Sequence, residues 1–445
     1  MSEKNLTDSG DVFTRRNFLK IAGGSLLALT VPGLGSEGLG ASSSDKLELG
    51  GIFSLSGPNA PVGRTIRDGA RLAVERINRE GGIGGEIELD LVVEDGKTSQ
   101  TGASEAARRL ANRGGIGFAL GPLVGTHGRA TQPILGGAEI PQMFFGTDVG
   151  FTDRHDEYPL SFRFGTQTAL QFVPPLVYAV EERDQGKLFL LTPNNQQGGS
   201  IEEVVQNAVS RLEEGELVGS ESYPPFNRDF SSLTSRVWNS EAEGVVIGTG
   251  VPADLVSVAR EFDRQGLDPT EFGYYTGQTP NGAVAFENQI MDEGLGEGII
   301  YSWHYDKREY GRVFERLDPP EEAEKMEAAF EERFGSPPDS APSASWGWGG
   351  VRIIKQGIEG LMEERGKEEV LEMDLGTQLP SEVVEYLLPE SKDEVGPEIE
   401  TPFGNAGFLS CGQFDVGLGV GTVKDGERYL LKDRGYGREI IPPLC

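Results

Sequence analysis

The sequence predicts an α/β protein of two lobes, each a mostly parallel sheet with helices on both faces. Three observations carry this expectation. Strand-like and helix-like patterns alternate along the body of the chain, and the alternation runs through twice. With 445 residues, the chain is too long for one ordinary core. Its 63 glycines and 26 prolines supply the many short connections that such alternation needs.

The first run opens with Leu47–Phe53, a β-like stretch that ends in the turn Ser54-Leu55-Ser56-Gly57-Pro58. Arg67–Glu80 places Ala70, Ala73, Val74 and Ile77 at helical spacing, and the glycines from Gly81 stop it. Ile87–Val93 reads as a strand, Thr101–Arg113 as a helix and Gly117–Leu120 as a short buried strand. Arg129–Gly137 reads as a helix and Gln142–Phe145 as the next strand. This βαβαβαβ order implies a parallel sheet covered on both faces. The second run has helices over Phe172–Glu182, Ile201–Glu213, Phe230–Asn239 and Ala253–Gln265. Between them lie strands over Lys187–Leu191, Glu216–Ser222, Gly244–Ile247 and Phe272–Tyr275. Later, Glu321–Phe334 and Trp348–Glu363 read as helices, and Glu382–Val395 as an acidic peripheral stretch. Phe403–Val416 and Gly421–Leu431 read as hairpin strands, with Lys424-Asp425-Gly426 as a turn.

Composition narrows the function. A hydrophobic content of 37% suffices for packed cores and excludes wholesale disorder. The net charge of −31 has its acids spread along the chain and no basic patch, which excludes nucleic-acid binding. Acidity of this kind, with arginine outnumbering lysine, suits a protein kept soluble in strong salt, where screening acts over about 3 Å at 1 M. Two cysteines, Cys411 and Cys445, make no disulfide framework, although one bridge between them is compatible with an exported protein. His127, His155 and His304 fall at no ligand spacing, so no metal or other cofactor is expected.

The amino terminus reads as an address. Thr14-Arg15-Arg16-Asn17-Phe18-Leu19-Lys20, then the short apolar run Ile21–Val31, resembles a twin-arginine signal, which implies export of folded protein by the twin-arginine translocase. Pro32–Ser44 is a Gly- and Ser-rich linker. Within it Gly33-Leu34-Gly35-Ser36-Glu37-Gly38 spells GxGxxG, but it follows no strand and opens no helix, so it is not a dinucleotide site.

The ordered set Leu49-Gly50-Gly51-Ile52-Phe53-Ser54-Leu55-Ser56-Gly57-Pro58, Gly69-Ala70-Arg71-Leu72-Ala73-Val74 and Ile77–Gly85 resembles the opening of type I periplasmic binding proteins. The branch is the one that binds branched-chain amino acids and amides. Gly121-Pro122-Leu123, Ile140-Pro141 and Thr401-Pro402-Phe403-Gly404 continue the likeness. The resemblance implies a Venus-flytrap fold in which two lobes close on a small solute by hinge motion. Residues 45–165 with about 301–375 would form one lobe, and 166–300 with about 376–445 the other. It also implies delivery to an ABC permease and ATPase at the outer face of the membrane, with no chemistry of the chain's own.

By the same resemblance, candidate ligand contacts fall at strand ends: Ser56, Leu123, Gly125, Thr126, Thr147, Asp148, Gln197, Gly250 and Gln278. Three depart from the amino-acid-binding pattern. Gly125 stands where a serine is expected, Gln197 where a tyrosine is, and Gln278 where an acid would meet an ammonium group. Either the solute lacks an α-ammonium, or another acid such as Asp148 replaces it; Asp148 equally suits the cap of a short helix near Phe151. Trp303, Trp346 and Trp348 are cleft walls or core fillers. The sequence contains no GxSxG, HExxH or P-loop motif to support an exported hydrolase. A sensory binding protein would have the same fold.

Overall fold

The computed structural model describes residues 46–224, 227–249, 252–277, 293–303, 320–391, 394–432, 436–437 and 440. The export segment therefore lies outside the described residues.

The first apolar run becomes β1 (Lys46–Phe53), central in a five-stranded sheet and buried from Leu49 onward. It pairs in parallel with β2 (Glu88–Asp95) on one side and β3 (Ile116–Leu120) on the other. β4 (Gln142–Phe144) and β5 (Ser161–Arg163) extend the sheet in the order β2-β1-β3-β4-β5, still parallel. Every residue of β3 is buried, which is why its sequence is a continuous run of small and apolar residues without alternation. The connections are α1 (Ala60–Arg79), α2 (Gln100–Arg113), α3 (Gly125–Gly136) and the single turn α4 (Val149–Thr152).

A second sheet follows. α5 (Thr168–Arg183) leads to β6 (Lys187–Pro193), α6 (Gln196–Val209), β7 (Glu216–Tyr223), α7 (Ser231–Trp238), β8 (Gly244–Ile247), α8 (Pro252–Arg264), β9 (Gly273–Thr276) and β10 (Ile299–Trp303). These five strands are parallel. α9 (Glu321–Phe334), α10 (Ala341–Arg365), α11 (Lys367–Leu371) and α12 (Gln378–Leu387) come next, then a hairpin of β11 (Ile399–Thr401) and β12 (Gly404–Ala406). β13 (Gly419–Lys424) and β14 (Glu427–Lys432) complete the second sheet in the order β14-β13-β10-β9-β8-β6-β7, with β13 antiparallel to β10. Their turn is the expected Asp425-Gly426, with φ of 54° and 69° as a type I′ turn needs.

The chain thus returns to each sheet. α10 packs along α1 so closely that side chains are excluded: a Cβ at Gly347 would lie 1.9 Å from the Ile66 carbonyl oxygen, and one at Gly69 would lie 2.3 Å from that of Ala344. Residues from 376 onward, expected in the second lobe, go first to the five-stranded sheet. Leu379, Val383 and Leu387 of α12 share a core with Leu47, Phe118 and Leu120. Their i, i+4, i+8 stripe lies among acidic residues, which is why the stretch reads as peripheral.

Two of the passages between sheets lie side by side. Arg163 N–H donates to the Gly412 carbonyl at 2.6 Å, and Phe414 N–H donates to that of Arg163 at 2.9 Å. Phe164 and Phe414 meet edge to face there, with ring centroids 5.3 Å apart. Phe403–Val416, expected as hairpin strand, therefore holds only β12 and this irregular crossing. Cys411 within it is disulfide-bonded, and Cys445, the one other cysteine of the sequence, lies outside the described residues.

Candidate ligand-binding cleft

At the carboxyl ends of β3 and β4 the chain turns into helices, and the two turns touch. Phe145 N–H donates to the Pro122 carbonyl at 3.2 Å. Gly146 passes so near Leu123 that a Cβ there would lie 2.1 Å from the Leu123 carbonyl oxygen. On the other sheet β6 ends at Pro193, and the Asn195 side chain caps α6 by accepting from Gly198 N–H at 2.9 Å. This cap places the first turn of α6 toward the first sheet. Between them lies a cleft of about 340 Å³.

Its lining comes from both sheets. Leu123, Val124, Gly125 and Thr126 belong to the turn into α3, and Phe145, Gly146, Thr147 and Asp148 follow β4. Gln196, Gln197 and Ser200 come from α6. Asn59 before α1, Thr168 at the start of α5 and Trp346 of α10 complete the wall. Six of the sequence candidates therefore meet here: Leu123, Gly125, Thr126, Thr147, Asp148 and Gln197.

Ser56 does not line this cleft. Its hydroxyl donates to Asp95 Oδ2 at 2.7 Å, and its carbonyl accepts from Thr98 Oγ1 at 2.7 Å, so it ties the loop after β1 to the loop after β2. Gly250 and Gln278 lie outside the described residues. Of the three tryptophans, Trp346 is the wall, backed by Phe403 with ring centroids 6.4 Å apart, whereas Trp303 and Trp348 are core. Asn59, Val124, Phe145, Gly146, Thr168, Gln196 and Ser200 were missed. Most of them adjoin a named candidate or open a helix, and that was the signal available.

The electrostatics centre on Asp148. Its Oδ1 accepts from Gly150 N–H at 3.0 Å, the helix-capping role weighed from sequence. Its Oδ2 lies 2.8 Å from Arg129 Nε, close enough for an ion pair although not aligned as a hydrogen bond. Its carbonyl accepts from Arg163 Nη1 at 2.7 Å. Arg163 is fully buried and also donates to Gln413 Oε1 at 2.5 Å and to Thr152 Oγ1 at 3.1 Å. Burial lowers its pKa to about 9, against the pull of Asp148 and Asp153, so it stays charged at neutral pH. His127, buried in the first turn of α3, is held below its ordinary pKa by the same desolvation and presents no cation near neutrality. Arg129 does not line the cleft, so Asp148 is the one charged residue among the described lining, and its charge is already met.

Residues 46–370 match the model of the periplasmic binding protein family. The chain belongs to that family. Among solved structures, this binding protein is similar to the branched-chain amino-acid transporter substrate-binding protein LivJ of Streptococcus pneumoniae, solved with isoleucine. The identity is 18%, over 87% of this chain and 99% of that one, with a TM-score of 0.67. It is similar to the leucine-binding protein LivK of Thermotoga maritima at 17% identity, over 86% and 97%, TM-score 0.63. It is also similar to an ABC-transporter solute-binding protein of Rhodopseudomonas palustris, solved with 3,4-dihydroxybenzoic acid, at 16% identity over 88% and 97%, TM-score 0.65. At these identities the likeness establishes the fold: two lobes, each an α/β sheet flanked by helices.

Proposed function

We propose that this binding protein is the extracytoplasmic component of an ABC importer, and that it captures a small polar solute in the cleft and hands it to a permease and ATPase. Of the described residues, those within 46–165 and 320–415 make one lobe and those within 168–303 and 419–432 the other, and the amino-terminal segment directs export. The solute is an amide or a related uncharged molecule in preference to a free α-amino acid. The observation that carries this is the chemistry of the described lining: neutral amides and hydroxyls (Asn59, Thr126, Thr147, Thr168, Gln196, Gln197, Ser200) beside two aromatic rings, with the single carboxylate already paired. An ammonium group would find no free carboxylate there, and a buried unpaired charge is costly. Neutral donors and acceptors, by contrast, each gain a partner when lobes close and water leaves.

The test is a titration of purified protein in high salt against matched sets, such as isovaleramide, isovalerate and leucine, or benzamide and benzoate. Saturable binding of an amide, recovered unchanged, is the expected result. Preference for leucine over both partners of its set, or conversion of the bound molecule, refutes the reading.

A further inference from the structure

We propose that Asp148, held by Arg129, is a specificity-determining residue that closes this cleft to carboxylates. The inference rests on the reading of the cleft as a solute site and adds which solutes it refuses. α3 begins at Val124 without a capping side chain, unlike α2 and α6, where Ser99 and Asn195 accept from Gly102 and Gly198 N–H. The first amides of a helix have no partner within it and favour negative charge. The carboxylate of Asp148 stands beside that turn, against Gly125 and paired with Arg129 of the same helix. A Cβ at Gly125 would lie 2.5 Å from Asp148 Cβ and 2.9 Å from Oδ2, so no side chain fits at 125 while the aspartate stands there.

The aspartate does not swing away, because it is fixed on three sides: Oδ1 by Gly150 N–H, Oδ2 by Arg129, and the carbonyl by buried Arg163. Asp148 faces the cleft and Arg129 does not reach it. A solute carboxylate entering at α3 would find that space filled by Asp148 and the nearest cation, Arg129, already engaged, so its charge would be desolvated without a partner. A neutral amide needs no counter-charge.

Acetate is the probe, titrated at constant ionic strength into wild-type protein, Asp148→Gly, Asp148→Asn and the double variant Asp148→Gly/Arg129→Gln. Tryptophan fluorescence reports binding, since Trp346 lines the same cleft. The wild type is expected to give no saturable response. Asp148→Gly should bind acetate in the millimolar range, at least about tenfold more tightly than wild type, and the double variant should lose the gain. Asp148→Asn keeps the group that caps Gly150 N–H and should show a smaller gain, which keeps the test open where Asp148→Gly does not fold. Wild type binding acetate as tightly as the variants overturns the proposal, as do folded variants that gain nothing. A wild-type protein that binds none of the matched solutes refutes the proposed function and leaves this acetate result to stand by itself.

Discussion

Gln197 lines the cleft on the side of the second sheet and tests that side. Gln197→Ala should weaken binding of the preferred amide about tenfold, the scale of one neutral hydrogen bond. The melting temperature without solute should stay unchanged, because no element depends on this side chain; calorimetry and thermal melts together check this. Arg163 is the opposite case. Arg163→Met strands the acceptors Gln413 Oε1 and the Asp148 carbonyl, and should cost about 2–4 kcal/mol in denaturant melts. Asp95 gives a prediction in pH. Burial pushes its pKa up, but N–H donors of Lys97, Leu55 and Ser56 and the Ser56 hydroxyl outweigh this and hold it below the ordinary carboxylate value. A folded pKa below the unfolded one adds stability that is complete above the unfolded value of about 4 and lost as pH falls through the folded value. Asp95→Asn should therefore lower the melting temperature near neutrality, with the gap to wild type closing in acid.

Most of the longer helices were legible in the sequence, those from Gln100, Ser231, Pro252 and Glu321 to within a residue of their starts. α11 and α12 were not, and five others were read short at their beginnings. Apolar spacing marks helices from Arg67, Arg129, Phe172, Ile201 and Trp348, yet they start at Ala60, Gly125, Thr168, Gln196 and Ala341. The missing turns are the ones that build the cleft or the close α1–α10 contact. A turn facing the cleft carries Gly125, Thr126, Gln196 and Gln197 where a buried turn would carry apolar residues, so its periodicity vanishes. In α10 the first turns carry Ala344 and Gly347 where backbone meets the backbone of α1, which breaks the apolar periodicity. Strands as short as Ser161–Arg163 gave no alternation to read, and the apolar run of β10 passed unread. The site was half legible for the same reason: order and spacing locate its loops, whereas Asn59, Thr168 and Trp346 reach it through packing of elements distant in sequence. The α1–α10 contact is open to direct test. Gly347→Ala pushes a methyl group against the Ile66 carbonyl and should destabilise by about 1–3 kcal/mol, read as a lower denaturant midpoint.

For the whole molecule, a net charge of −31 sets both lobes against themselves. Among the described ion pairs, Lys46–Glu88 and Arg79–Glu332 have both side chains more than half exposed and are weak. Self-repulsion is what added salt removes, so melting temperature should climb as KCl rises from about 0.1 M to about 1 M, where the screening length shrinks to about 3 Å. A flat response speaks against salt adaptation. The return of the chain to both sheets governs the order in which the protein can be made. When the ribosome has finished β10, one sheet lacks α10 and α12, and the other lacks the β13–β14 hairpin that covers its β10 edge. A chain ended at residue 370 should accordingly show no cooperative melt. The first sheet is covered only once α12 has been made, and the second only with the β13–β14 hairpin, the last of the described strands. A translocase that threads nascent chain would carry two unfinished halves across, whereas one that takes folded cargo has to wait for the final hairpin.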